Sequence, residues 1–190
     1  MNAYALLHRI GFRPFVRRLY SVDLVGGERI PVSGGCILAC NHESIVDPFV
    51  LAVATRREIR YMAKAELFRG RILAAIFRAL GAFPIERGRG DLGAFTEAER
   101  LVRDGHVLGI FPQGTSKQHL QRGWHRGAAR LALSTGAPLV PVRMTGTRGL
   151  PLRTRVRIVV GEPIAVERER PTISAARSLT ERLETAVQTA

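Results

Sequence analysis

The chain has 190 residues, 46% hydrophobic and 24% charged, which suits a single globular domain and excludes a disordered or fibrous chain. Lysine and arginine total 29 against 16 acidic residues, a formal charge of +13, so the surface favours nucleic acid, anionic lipid or phosphate-bearing small molecules. Nearly all the cations are arginines, whose planar fork suits phosphate and carboxylate, although a solvated arginine-rich surface gives the same total.

Residues 1–20 read as a basic amphipathic segment. Tyr4, Leu7, Ile10, Phe15 and Leu19 share a helical face, with Arg9, Arg13, Arg17 and Arg18 around it, and Pro14 is expected to bend or break that helix. Such a segment fits an anionic membrane surface; packing on its own domain is the equal alternative. It is no signal peptide, because His8, Arg9 and Arg13 interrupt the apolar residues and no small-residue cleavage site follows. No apolar run approaches the ~18–20 residues of a membrane span. The expectation is a peripheral protein on the cytoplasmic face of a membrane, with residues 21–190 forming the folded domain.

In that domain "VDLVGGERIP" predicts a hairpin turning on Gly26-Gly27, and "GCILACN" a buried strand. Cys36 and Cys40 lie on one face of that strand roughly 13 Å apart, too far for a disulfide, so two buried thiols are expected. A short helix follows from Pro48 to about Thr55. "IRYMAKA" is a strand, "ELFRGRILAAIFRALG" a helical pattern stopped by Gly81, "AFPIER" a strand and "LGAFTEAERLVRDG" a helix ended by Gly105. "HVLGIFPQG" is a strand running into a loop, "GAARLALSTG" a helix, and "PLVPVRMTG" and "TRVRIVVGEPI" strands. The closing helix has Thr172 or Ser174 as its cap. Strands alternating with helices predict a single α/β domain with a largely parallel, mixed sheet flanked by helices.

The chemistry is concentrated in "CNHESIVDPF", where His42 precedes Asp47 by five residues at a strand exit. Asp followed by Pro is by itself a favoured helix start, with Asp as the cap. A tight loop can instead bring the carboxylate back onto the imidazole, fixing its tautomer and leaving the other ring nitrogen as a base for a substrate hydroxyl. Open α/β sheets bind ligands at this kind of loop.

"NHESIVDPF" resembles the H-x-x-x-x-D motif of the glycerolipid acyltransferase family, whose best-known members are 1-acylglycerol-3-phosphate acyltransferases. Further blocks follow in the family's order: "YMAKAELF" between the first two motifs, "FPIERGRGD" at the second, "IFPQGTS" at the third and "GAPLVPVRMTGT" at the fourth, centred on Pro141. Together they span roughly residues 35 to 165. The resemblance implies a glycerol-3-phosphate acyltransferase-like fold and O-acyl transfer, with His42 as base and Asp47 holding it. The donor would be acyl-CoA or acyl carrier protein, and the acceptor a lysophospholipid, foremost 1-acyl-sn-glycerol-3-phosphate, giving phosphatidic acid in phospholipid biosynthesis. It implies substrate contacts from Asn41, Arg87, Gln113, Gly114, Thr115, Ser116, Lys117 and Pro141, with Arg87 meeting phosphate. It implies no acyl-enzyme, no metal and no cofactor.

The third block departs from the family's usual F-P-E-G-T-R. Gln113 stands for a carboxylate and Ser116 for an arginine, with Lys117 and Arg122 close enough to compensate. That departure leaves open another acceptor (a glycolipid, an amino-lipid or a specialised metabolite) or a non-catalytic lipid-binding relative. His119 and His125 read as parts of a solvated loop rather than metal ligands. The helix "ILAAIFRALGAF" reads as core, with an acyl groove as the alternative. A nucleic-acid-binding module is disfavoured: aromatics are only 6% and no recognised motif is present.

Overall fold

A computed structural model describes residues 13–79, 81–85, 92–115, 123–148 and 154–190. In chain order the elements are α1 (Arg13–Leu19), β1 (Ser21–Val25), β2 (Cys36–Cys40), α2 (Asp47–Leu51), β3 (Ile59–Lys64), α3 (Arg71–Ala79), β4 (Ala82–Ile85), α4 (Leu92–Arg103), β5 (Val107–Ile110), α5 (Gly127–Thr135), β6 (Leu139–Thr145), β7 (Arg155–Val160) and α6 (Ile173–Thr189). The seven strands form one sheet in the order β1-β7-β6-β2-β5-β3-β4. Five neighbouring strands, β6 through β4, run parallel; β7 pairs antiparallel with β6, and β1 lies parallel to β7. The carboxyl ends of the five therefore share one edge, and β2 lies in the middle of the sheet.

The apolar run of β2 is what a strand covered on both faces requires. Cys36, Leu38 and Cys40 enter one cluster with Val16 of α1 and Val50 and Leu51 of α2. Ile37 and Ala39 enter the other, with residues of α4, α5 and α6. Both cysteines are buried free thiols, as their strand position predicts. At the opposite edge Arg57 donates to the carbonyl oxygens of Pro31 (2.7 Å), Gly34 (2.5 Å) and Gly105 (2.5 Å), tying together the segments that lead into β2 and β5.

Two local expectations give way. Gly26-Gly27 starts no hairpin: Gly26 adopts φ 74°, a single 3-10 turn spans Gly27–Arg29, and β1 finds its partner in β7 instead. Arg29 reinforces this by donating to the Val160 carbonyl (2.7 Å). The helical pattern beginning at Glu66 splits into a 3-10 turn over Ala65–Phe68 and α3. Pro14 sits in the first turn of α1, where its missing N–H costs nothing, and residues 1–12 of the expected amphipathic segment lie outside the described residues. The closing helix is capped by Thr172, whose Oγ1 accepts from the Ala175 N–H at 3.1 Å.

Candidate active site

The loop after β2 folds back through a turn in which the Asp47 N–H donates to the Ser44 carbonyl at 3.1 Å. This places the Asp47 carboxylate over the residues before it. Its Oδ2 accepts the Glu43 N–H at 2.6 Å, the Ser44 N–H at 2.8 Å and His42 Nδ1 at 2.8 Å. An oxygen already receiving two backbone donors is the acceptor toward the ring as well, so Nδ1 carries the proton and Nε2 the lone pair. Asp47 is fully buried, while the His42 side chain keeps 17% of its surface exposed. The Asp–Pro signal thus marks a helix start, with Pro48 in the first turn, but Asp47 is not its cap. Val46 occupies the cap position without a side-chain bond, and the carboxylate points back to the loop.

Neighbouring strands lock this arrangement. Asn41 extends the β2–β6 pairing by one residue: its amide nitrogen donates to the Met144 carbonyl (2.8 Å) and its amide oxygen accepts the Met144 N–H (2.7 Å). The imidazole stacks on Phe111, just beyond β5, with ring centroids 4.4 Å apart. Phe111 in turn lies against Tyr61 at 6.4 Å, and the Tyr61 hydroxyl donates to the Pro48 carbonyl at 2.9 Å. Tyr61 is paired with Gly109 on β5, and a Cβ there would come within 2.5 Å of the Tyr61 ring. Glycine is what allows the ring to cross β5 and brace the helix that begins at Asp47.

Gln113 closes the site from the loop after β5. Its Oε1 accepts the His42 backbone N–H at 2.5 Å. Gly114, at φ 71°, turns the chain, and a Cβ there would press on the His125 ring at 3.0 Å. His125 is exposed, yet its N–H donates to the Pro112 carbonyl (2.8 Å), so it belongs to a folded return of the loop rather than to a free solvated one. Phe111, Gln113, Gly114, Thr115, His125 and Met62 help line a cleft of about 340 Å³. Phe111 and Gln113, both touching His42, form the wall nearest the imidazole.

The sequence-predicted residues therefore divide. His42, Asp47, Asn41, Gln113, Gly114 and Thr115 gather at the carboxyl edge of the sheet. Pro141 lies inside β6, buried, paired with Ala39 and accepting the Gly161 N–H at its carbonyl, three residues short of the Met144 clamp. Arg87, Ser116 and Lys117, with Arg89, His119 and Arg122, fall outside the described residues. Sequence reasoning missed the structural use of Phe111 and Tyr61, although both stand inside the motif blocks, and the wall position of His125.

The acyltransferase family model matches residues 21–145, a stretch that contains every one of the site residues just assembled. The chain belongs to the acyltransferase family. This acyltransferase is 31% identical over 147 residues to the 1-acyl-sn-glycerol-3-phosphate acyltransferase of Bacillus subtilis, covering 75% of this chain and 73% of that one. It is 34% identical over 135 residues to the enzyme of that name from Streptococcus pneumoniae, covering 68% and 50% respectively. Its fold matches the crystal structure of the Thermotoga maritima 1-acyl-sn-glycerophosphate acyltransferase, PlsC, with a TM-score of 0.76 at 23% identity, over 98% of this chain and 77% of that one. The expected family, fold class and O-acyltransferase activity stand. Among the described residues no helix is long and apolar enough to cross a membrane.

Proposed function

We propose that this acyltransferase moves a fatty acyl group from a thioester, on coenzyme A or acyl carrier protein, to the free hydroxyl of 1-acyl-sn-glycerol-3-phosphate, giving phosphatidic acid. The observation that carries the reading is the His42–Asp47 pair, fixed at 2.8 Å beside an open cleft. Nε2 of His42 takes the hydroxyl proton as the oxygen attacks the thioester carbonyl. Asp47 stabilises the imidazolium that forms. Collapse of the tetrahedral intermediate expels the thiolate, which recovers the proton from His42, so no acyl-enzyme is needed. Both thiols support that reading, because burial raises them away from the reactive thiolate form: Cys36 from 9.0 to about 11, and Cys40 in the same direction, with Asp47 and Glu43 adding repulsion.

Arg87, Ser116 and Lys117 are proposed for the acceptor's phosphate from their motif positions, and Gly114 and Thr115 for the cleft floor. The departure at Gln113 lends no weight to a different acceptor, since its amide oxygen meets the His42 N–H. Peripheral binding to an anionic bilayer draws on Arg17 and Arg18 with Phe15, 63% exposed, on α1, and on Ile45, 61% exposed, in the His42 loop. The test is thiol release by pure protein with acyl-CoA and the lysophosphatidate, beside a panel of other hydroxyl acceptors. Wild type should turn over the lysophosphatidate and His42→Ala should not, while melting like wild type. Turnover that survives His42→Ala, or that occurs only with another acceptor, defeats the proposal.

A further inference from the structure

A second cleft, of about 490 Å³, opens on the far side of His125 and shares His125 and Gly127 with the first. Arg126 and Arg130 line it, facing Pro171, Thr172 and Ile173, and among the described residues none that lines it is acidic. The two arginines are one helical turn apart and so share a face at the start of α5. The Arg130 guanidinium is held 5.2 Å above the Phe95 ring.

Much of the charge in this basic chain is paired: Arg29 with Glu162, Arg60 with Glu58, Arg100 with Glu97 and Asp104, Arg157 with Asp23, Arg177 with Glu181. Among the described residues Arg126 and Arg130 have no carboxylate within ion-pair distance. Like charges at this helical spacing repel, so an anion in the cleft relieves them both. The first turn of α5 carries no side-chain cap, so its backbone N–H groups add to the same potential.

Position decides which anion. A short path of contacts runs from His42 through Gln113 and Gly114 to the His125 ring, with Arg126 next in the chain. The acceptor's phosphate is only a few bonds from the reacting hydroxyl and must bind within the first cleft, near the imidazole. A phosphate beyond His125 belongs to a longer molecule whose reactive end lies at His42. The thioester donor is such a molecule, with its carbonyl at one end of a pantetheine arm and phosphates at the other. Resting on the acyl-transfer reading above, we infer that Arg126 and Arg130 bind the phosphates of the acyl donor's pantetheine arm, apart from the acceptor's phosphate.

Calorimetric titration tests this with coenzyme A, 4′-phosphopantetheine, pantetheine and glycerol 3-phosphate, against wild type, Arg126→Gln, Arg130→Gln, the double variant and His42→Ala. Coenzyme A should bind the double variant roughly tenfold or more weakly, and His42→Ala like wild type. Pantetheine, without phosphate, should not distinguish the variants. If the loss is equal for 4′-phosphopantetheine, the arginines hold the phosphate shared with carrier proteins; if confined to coenzyme A, they hold its nucleotide phosphates. The single variants serve should the double variant fail to melt cooperatively. Equal coenzyme A affinity in wild type and variants overturns the inference, as does a loss seen with glycerol 3-phosphate instead. Wild type that binds coenzyme A through these arginines yet turns over no thioester leaves the subsite standing and removes the acyl-transfer reading.

Discussion

Asp47→Asn isolates the charge of the pair while keeping its shape. The oxygen of the new amide can keep the three N–H donors now directed at Oδ2, so the loop fold and the His42 tautomer persist. What disappears is the negative charge facing the imidazolium. With a contact of 2.8 Å, the charge centres lie about 4 Å apart, and at an effective dielectric of ~20 the attraction is ~4 kcal/mol. Because Asp47 is fully buried, solvent screens little of it. At ~1.4 kcal/mol per factor of ten, kcat should fall roughly a thousandfold. The KM values should barely move, because the lost attraction acts on the imidazolium formed as the proton is transferred. The amide nitrogen would occupy the place of Oδ1, a buried atom with no hydrogen-bond partner among the described residues, and the unsatisfied donor should cost about 1–3 kcal/mol of stability. The assay is thiol release from acyl-CoA under saturating acceptor, with a thermal melt on the same sample. A folded Asp47→Asn protein that keeps more than a tenth of wild-type kcat would show that the carboxylate's charge does no catalytic work.

Gln113→Leu removes the acceptor of the His42 N–H and should lower kcat about ten- to a hundredfold, the cost of an unmet amide; Gln113→Glu, which keeps an acceptor oxygen, should remain within a few-fold, and thiol release tells them apart. Arg57→Ala cuts three carbonyl contacts at the edge opposite the site, so urea melts should show a loss of about 2–3 kcal/mol with kcat at 25 °C unchanged. Burial moves the Cys36 thiol from 9.0 up to about 11, despite the opposing pull of Arg57. The unfolded chain therefore releases this proton first, so stability is full below pH 9 and falls by ~1.4 kcal/mol per pH unit toward pH 11. Urea melts of wild type and Cys36→Ala at pH 8 and pH 10 measure it, the variant losing less.

The parts of this architecture legible in the sequence were those set by local chemistry. The apolar run of β2, the Asp–Pro start of α2 and the glycine at the end of α5 each name their element directly. The hairpin expected at Gly26-Gly27 failed because a turn signal constrains only the turn. The partner of β1 lies in β7, beyond residue 150, and no local pattern encodes that pairing. The same limit governs the site. His42 and Asp47 were readable because one tight loop joins them. Asn41 and Pro141 were read as substrate contacts from their motif blocks, but a motif does not say where a side chain is directed. Asn41 turns sideways to Met144, and Pro141 lies within the sheet.

Gln113 shows why residue class is the wrong unit for judging a departure from a pattern. Read as a lost carboxylate, it suggests a changed substrate. In the fold, the atom at that position meets a backbone N–H, and an N–H asks for a lone pair in the right place rather than for a full charge. An amide oxygen supplies one as well as a carboxylate does. It also avoids adding a second negative group beside a loop that already buries Asp47 and holds Glu43 near Arg148. Gln113 thus supplies an acceptor to the His42 N–H without placing a charge beside it.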